Sequence, residues 1–188
     1  ISGDAFMGLS DLAFLHKMKK PIELRNSASK KILFYEVGLL EKYEHKLTDS
    51  TIVLVHNGDS SLSLKEISIL KKFNCIVFAT NTFRQKGFIE PIPIGIENAH
   101  HRLNGSLHYY NALKLASISH EKKRDVLVSF SAQTNPAERN RVLEICKEYG
   151  YENEQTKISK FRKRLAESRF VISPAGNGID GHRTWEAI

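Results

Sequence analysis

Near its C-terminal end the sequence reads Ser173-Pro-Ala-Gly-Asn-Gly-Ile-Asp-Gly-His-Arg-Thr-Trp-Glu-Ala-Ile188, a string that concentrates the residue types that hold a phosphate. Glycines at 176 and 178 let the backbone come close to an anion, and a helix expected to start near Asp180 offers its unpaired N–H groups. Asp180 is the expected N-cap, which sets Arg183 in the first turn, where a guanidinium can meet a pyrophosphate through two parallel hydrogen bonds. His182 and Glu186 are four residues apart and share a helix face; Glu186, one turn deeper, comes within reach of a ribose diol. Ser173 and Asn177 complete the candidate contacts. Two blander readings stand beside this one. His182, Arg183 and Glu186 can pair with one another on a helix surface, and Trp185 and His182 can serve core packing.

Three more groups follow predicted strands, where the crevice of an open parallel sheet receives its ligand. His56, Asn57 and Asp59 follow the apolar run 51–55; Asn81 follows 75–79; Ser129 and Ser131 follow 125–128. Simple turn chemistry also accounts for the Asn-Gly-Asp sequence at 57–59. Arg139, near the start of a predicted helix, is a further phosphate candidate, with a surface ion pair as its alternative.

These residues need elements to place them. The patterning predicts a helix over about 5–18, an extended run 32–37, a helix near 38–47 and a strand 51–55. Ser63 opens a helix to about Lys72, with Glu66 three residues on as a capping box. A strand 75–79, an extended proline-punctuated run 89–96 and a helix near 107–118 follow. A polar bridge at 119–124 marks the expected domain boundary. A strand then starts at Asp125. A helix 137–149 begins after Pro136, with Val142, Leu143, Cys146 and Tyr149 on one apolar face. A helix near 158–168 and the strand 169–172 lead into the glycine string. Alternating strands and helices argue for α/β architecture with parallel sheets covered on both faces. Residues 1–122 form the expected first domain and 123–188 the start of a second. The second is expected to be incomplete, because a nucleotide-binding α/β domain needs roughly 100–150 residues.

Of 188 residues, 28 are Lys or Arg and 21 Asp or Glu, a formal charge of +7 that favours an anionic partner. The basic residues are scattered in short groups without interleaved aromatics, so no nucleic-acid partner is expected. No apolar run is long enough for a membrane span, and the N-terminus lacks a basic-then-apolar leader pattern. The expected location is therefore cytoplasmic, with peripheral contact to an anionic membrane surface as an option. Cys75 and Cys146 are expected as buried free thiols. His100, His101 and His108 lack the spacing of a zinc site, and no metal is expected. Asn104-Gly-Ser106 is a formal glycosylation sequon.

The C-terminal string resembles the donor-site motif of exostosin-like glycosyltransferases, roughly Ser-Pro-x-Gly-Asn-Gly-x-Asp-x-His-Arg-x-Trp-Glu-Ala. It departs at Ala175, where relatives commonly carry a basic residue. Upstream, the His-Asn-x-Asp at 56–59, the asparagine at 81 and Pro-Ile-Gly-Ile-Glu-Asn at 93–98 are similar to the same family. The resemblance implies a GT-B-like fold of two Rossmann-like domains, an acceptor-side domain followed by a nucleotide-sugar-binding one. It also implies a metal-independent transfer from a nucleotide-sugar, a UDP-sugar being the favoured donor, to a glycan acceptor in polysaccharide biosynthesis. No separate cofactor is expected. An inverting transfer needs a base at the acceptor hydroxyl; Asp59 and His56 are the best-placed candidates and Glu97 the third. The leaving diphosphate falls to Arg183, the helix start and Arg139. A non-catalytic nucleotide-sugar- or phosphate-binding module is the alternative, and a basic nucleic-acid-binding protein the third. A dinucleotide oxidoreductase is disfavoured because no Gly-x-Gly-x-x-Gly follows the first strand of either domain.

Overall fold

The computed structural model describes residues 2–25, 31–101, 106, 108, 110–111 and 121–188. The chain is α/β with a mostly parallel six-stranded sheet, consistent with a Rossmann-like fold. Its contacts group into two compact units, residues 1–94 with Gly178–Asp180, and Gly95–Asn177 with Gly181–Ile188.

In the first unit, β1 (Leu12–Phe14), β2 (Ile22–Glu23), β3 (Ile32–Glu36), β4 (Ile52–His56), β5 (Ile76–Ala79) and β6 (Ile89–Pro91) lie in the order β2-β1-β3-β4-β5-β6. Only β2 runs antiparallel, at the edge beside β1. The strand period of two sends alternate side chains to opposite faces. Leu33, Tyr35, Val53, Val55, Val77 and Ala79 build one core with Phe14 and Leu70. Phe34 and Leu54 build the other, with Phe6 and Met7 of α1 (Gly3–Met7) packed against them. Burial on both faces explains why β3 and β4 read as continuous apolar runs rather than alternating ones.

α2 (Leu64–Lys72) starts at the predicted capping box: Ser63 Oγ accepts from Glu66 N–H at 3.1 Å and Glu66 Oε2 accepts from Ser63 N–H at 2.9 Å. Removing the hydroxyl leaves a helix-end donor unpaired. Ser63→Ala is expected to cost about 0.5–2 kcal/mol of stability, measured by urea denaturation. An unchanged midpoint would show that the cap contributes nothing.

Three expectations are corrected here. The helix predicted over 5–18 ends at Met7, and β1 follows within the same span. The apolar spacing from Phe6 to Ala13 imitates a helical stripe, but Leu12, Ala13 and Phe14 gain a parallel ladder on β3 and burial on both faces. The helix expected near 38–47 is a 3-10 segment, Glu41–Lys46, broken by non-helical geometry at Tyr43. Tyr149, expected on the apolar face of its helix, is 76% exposed, because the helix ends before it. The sequon Asn104 and most of the helix expected near 107–118 lie outside the described residues, as does the start of the expected boundary at 119–124; His108, Tyr110 and Asn111 are helical.

In the second unit, β7 (Arg124–Val128) and β8 (Ser168–Ile172) pair in parallel. α3 (Pro136–Glu148) carries Pro136 in its first turn, where the missing N–H costs nothing. Its Val142, Leu143 and Cys146 pack on Val128 and Phe130. α4 (Ile158–Glu167) sets Phe161 and Leu165 against Leu127 and Val171. The short helix α5 (His182–Ala187) closes the glycine string. Both cysteines are buried and unpaired, and burial pushes the Cys75 thiol up to about 11, so it stays protonated at neutral pH. No helix among the described residues is long and apolar enough to cross a membrane.

Candidate functional site

Within the first unit, the candidates gather at the C-terminal ends of β4 and β5. His56 closes β4 with 2% exposure, its ring 5.3 Å from that of Phe6. His56 Nδ1 lies 2.7 Å from Asn57 N and 2.9 Å from Asn57 Oδ1, and Nε2 lies 3.2 Å from the Pro93 carbonyl. Both ring nitrogens are thus engaged in holding the loop. Asn57 has a φ of 60°, a left-handed turn that asparagine tolerates better than other side chains, and it turns the chain toward Asp59, which is exposed. Of the two base candidates His56 is buried and Asp59 is exposed.

Asn81 lies two residues past β5, 4% exposed and again left-handed at φ 53°. Its Nδ2 donates to the Gly58 carbonyl at 3.0 Å and its Oδ1 accepts from Asp180 N–H at 3.0 Å. One side chain therefore ties the loop after β4 to the glycine string. Gly178 is the point of closest approach: a Cβ there would lie 2.5 Å from Asn81 Oδ1 and 2.7 Å from its Cγ. The second glycine of the string admits an asparagine side chain. Two hydrogen bonds and a strained backbone keep Asn81 from giving way. Gly178→Ala is expected to destabilise by roughly 1–3 kcal/mol, read as a lower thermal midpoint; an unchanged midpoint would mean that Asn81 is not fixed.

Asp180 corrects an expectation. It is not the N-cap of the final helix: Gly181 holds that position in extended geometry, with no side-chain cap bond. Asp180 Oδ2 instead accepts from Ile94 N–H at 2.8 Å. The carboxylate serves the strand-end loops because its backbone N–H is already turned toward Asn81.

In the second unit, α3 braces the first half of the string. Arg139 donates through Nη1 to the Ser131 carbonyl at 2.6 Å, through Nε to Ala175 at 2.8 Å and through Nη2 to Pro174 at 3.3 Å. Glu138 Oε1 accepts from Ala175 N–H at 3.2 Å. Burial lowers the Arg139 pKa, yet three carbonyls surround the charge. A Cβ at Gly176 would come within 3.0 Å of Arg139 Nη2, which explains the first glycine. Ser131 Oγ accepts from Gln133 N–H, and the buried Ser129 donates to the Glu154 carbonyl at 3.0 Å. Both serines serve local structure. Ser173 Oγ lies 2.9 Å from Thr184 Oγ1, joining the start of the string to its helix. Asn177 is exposed.

α5 carries the charged group. His182 Nδ1 donates to the Gly95 carbonyl at 2.6 Å, and its Nε2 lies 3.6 Å from Glu97 Oε1. Arg183 stacks on Phe161, its guanidinium carbon 3.8 Å from the ring centre. Its Nη1 is 3.3 Å from Glu186 Oε2 but makes no aligned hydrogen bond among the described residues. Desolvation lowers the Arg183 pKa, with Glu186 acting against it. With 29% of its side chain exposed, this is a guanidinium held by a ring and a carboxylate, with hydrogen-bonding capacity left over. Phe161 and Tyr110, which surround it, gave no sign in the sequence: one is an apolar helix residue, the other stands 76 positions before Glu186. Among the described residues no group of three or more His, Cys, Asp or Glu is placed to hold a metal ion.

No protein-family model matches the chain, and no curated protein matches it significantly.

Proposed function

We propose that the protein is an inverting glycosyltransferase of GT-B type that moves a sugar from a nucleoside diphosphate, a UDP-sugar being the first choice, to a glycan hydroxyl. The observation that carries this reading is Arg183: a partly desolvated guanidinium with unused donor capacity, in a string that matches a donor-site motif at eleven positions. Desolvated charge of this kind favours an anion strongly, because little water must be displaced before the two meet. Arg139 supports the reading indirectly by holding the turn that precedes Arg183.

In the proposed step the acceptor oxygen attacks the anomeric carbon as the bond from that carbon to the diphosphate oxygen breaks. The acceptor proton passes to Asp59, and the nucleoside diphosphate leaves with the bonding electrons. Arg183 meets the charge that grows on it. His56 shapes the Asp59 loop through its bonds to Asn57 and Pro93.

The test is turnover of UDP-sugars labelled in the sugar, followed as transfer to oligosaccharides or slow hydrolysis. Release that depends on Asp59 supports the enzyme. Saturable binding without turnover identifies a non-catalytic module, and salt-sensitive binding of DNA or RNA with no nucleotide-sugar affinity identifies the third class.

A further inference from the structure

Glu186, the glutamate of the string, is enclosed by other side chains. Its side chain is 7% exposed. Glu186 Oε1 accepts the Tyr110 hydroxyl at 2.9 Å, and Oε2 lies 3.3 Å from Arg183 Nη1. Tyr110 is a firm donor, since burial first and Glu186 second push its phenol up to about 12. The Arg162 guanidinium carbon sits 5.4 Å from the Tyr110 ring centre, and Phe161 underlies Arg183. A diol needs a carboxylate whose two oxygens are open to it, and burial closes that access at Glu186. Here one is taken by a phenol and the other faces a guanidinium. Fixing both oxygens removes the rotational freedom about the carboxylate, and the orientation passes to the planar group beside it.

We infer that Glu186 and Tyr110 are positioning residues that hold the Arg183 guanidinium on Phe161 for the phosphate part of the donor, and that Glu186 does not touch the sugar of the nucleotide. This rests on the reading of Arg183 as the diphosphate contact. It departs from the ribose role that helix spacing suggested for Glu186.

The experiment uses Glu186→Gln and Tyr110→Phe, with UDP, 2′-deoxy-UDP and inorganic pyrophosphate as calorimetric probes. Positioning predicts that Glu186→Gln weakens all three by a common factor of about tenfold, and that Tyr110→Phe weakens them in the same direction by less. If Glu186→Gln weakens UDP but leaves 2′-deoxy-UDP and pyrophosphate unchanged, Glu186 is a ribose contact and the inference is overturned. A second measurement needs no ligand: the Arg183 Nε–H resonance, assigned by its loss in Arg183→Lys. It is expected to be slow to exchange in the unsubstituted protein and broadened or lost in both variants. An unchanged resonance overturns the inference. Should none of the probes bind the unsubstituted protein while the resonance behaves as expected, the donor-site reading fails and the clamp on Arg183 stands.

Discussion

Asp59→Asn is expected to lower kcat by about 10²–10⁴ while leaving donor affinity nearly unchanged. The substitution keeps volume and hydrogen-bonding reach and removes only the ability to take a proton. The prediction singles out Asp59 because its carboxylate is exposed at the end of the turn that His56 and Asn57 build. His56 is buried, with Nδ1 against Asn57 and Nε2 against the Pro93 carbonyl, so using it as a base would disturb the turn that presents Asp59. Glu97 lies 3.6 Å from His182. Single-turnover kinetics with a labelled UDP-sugar decide the matter. Near-normal turnover in Asp59→Asn would place the base elsewhere and leave the exposed carboxylate as turn chemistry.

Arg183→Ala is expected to weaken the donor by roughly 10- to 150-fold, the range for a lost charged hydrogen bond, and to lower kcat as well. Both fall because the diphosphate is charged when bound and more so as the sugar departs. Arg183→Lys separates charge from geometry. Lysine keeps the charge but neither spreads flat on Phe161 nor offers a planar pair of donors, so it should recover only a small part of the loss. If the residue merely paired with Glu186 on a helix surface, both substitutions would leave nucleotide-sugar affinity intact.

The parts of the fold legible in the sequence were those with a single dominant signal. β4 and β5 announced themselves as short apolar runs between turn formers, and the Ser63–Glu66 box marked the start of α2 before any packing was known. β1 was hidden because an apolar run of three inside a helix-like spacing is decided by its partner: Leu12 pairs with Leu33, twenty-one positions away. The glycines were legible as close approaches, but what approaches was not. Gly178 meets Asn81 and Gly176 meets Arg139, contacts that depend on tertiary placement. The same limit applied to Asp180 and Glu186. The spacing of Asp180 fitted a cap, a place the structure gives to Gly181 while Asp180 accepts from Ile94; the contacts of Glu186 with Arg183 and Tyr110 likewise depend on tertiary placement.

The most direct test of the central claim is thermal stabilisation by nucleotide-sugars, run in parallel on the unsubstituted protein and Arg183→Ala against UDP-, GDP- and CMP-sugars. A ligand at about 100 times its Kd should add roughly 2.7 kcal/mol of stability. The account predicts saturable stabilisation by one nucleotide class, UDP first, and its reduction to about 0.3–1.4 kcal/mol in Arg183→Ala at the same ligand concentration, without a lower midpoint in the absence of ligand beyond what a partly buried arginine costs. Equal stabilisation of both proteins, or none by any nucleotide-sugar, would contradict it.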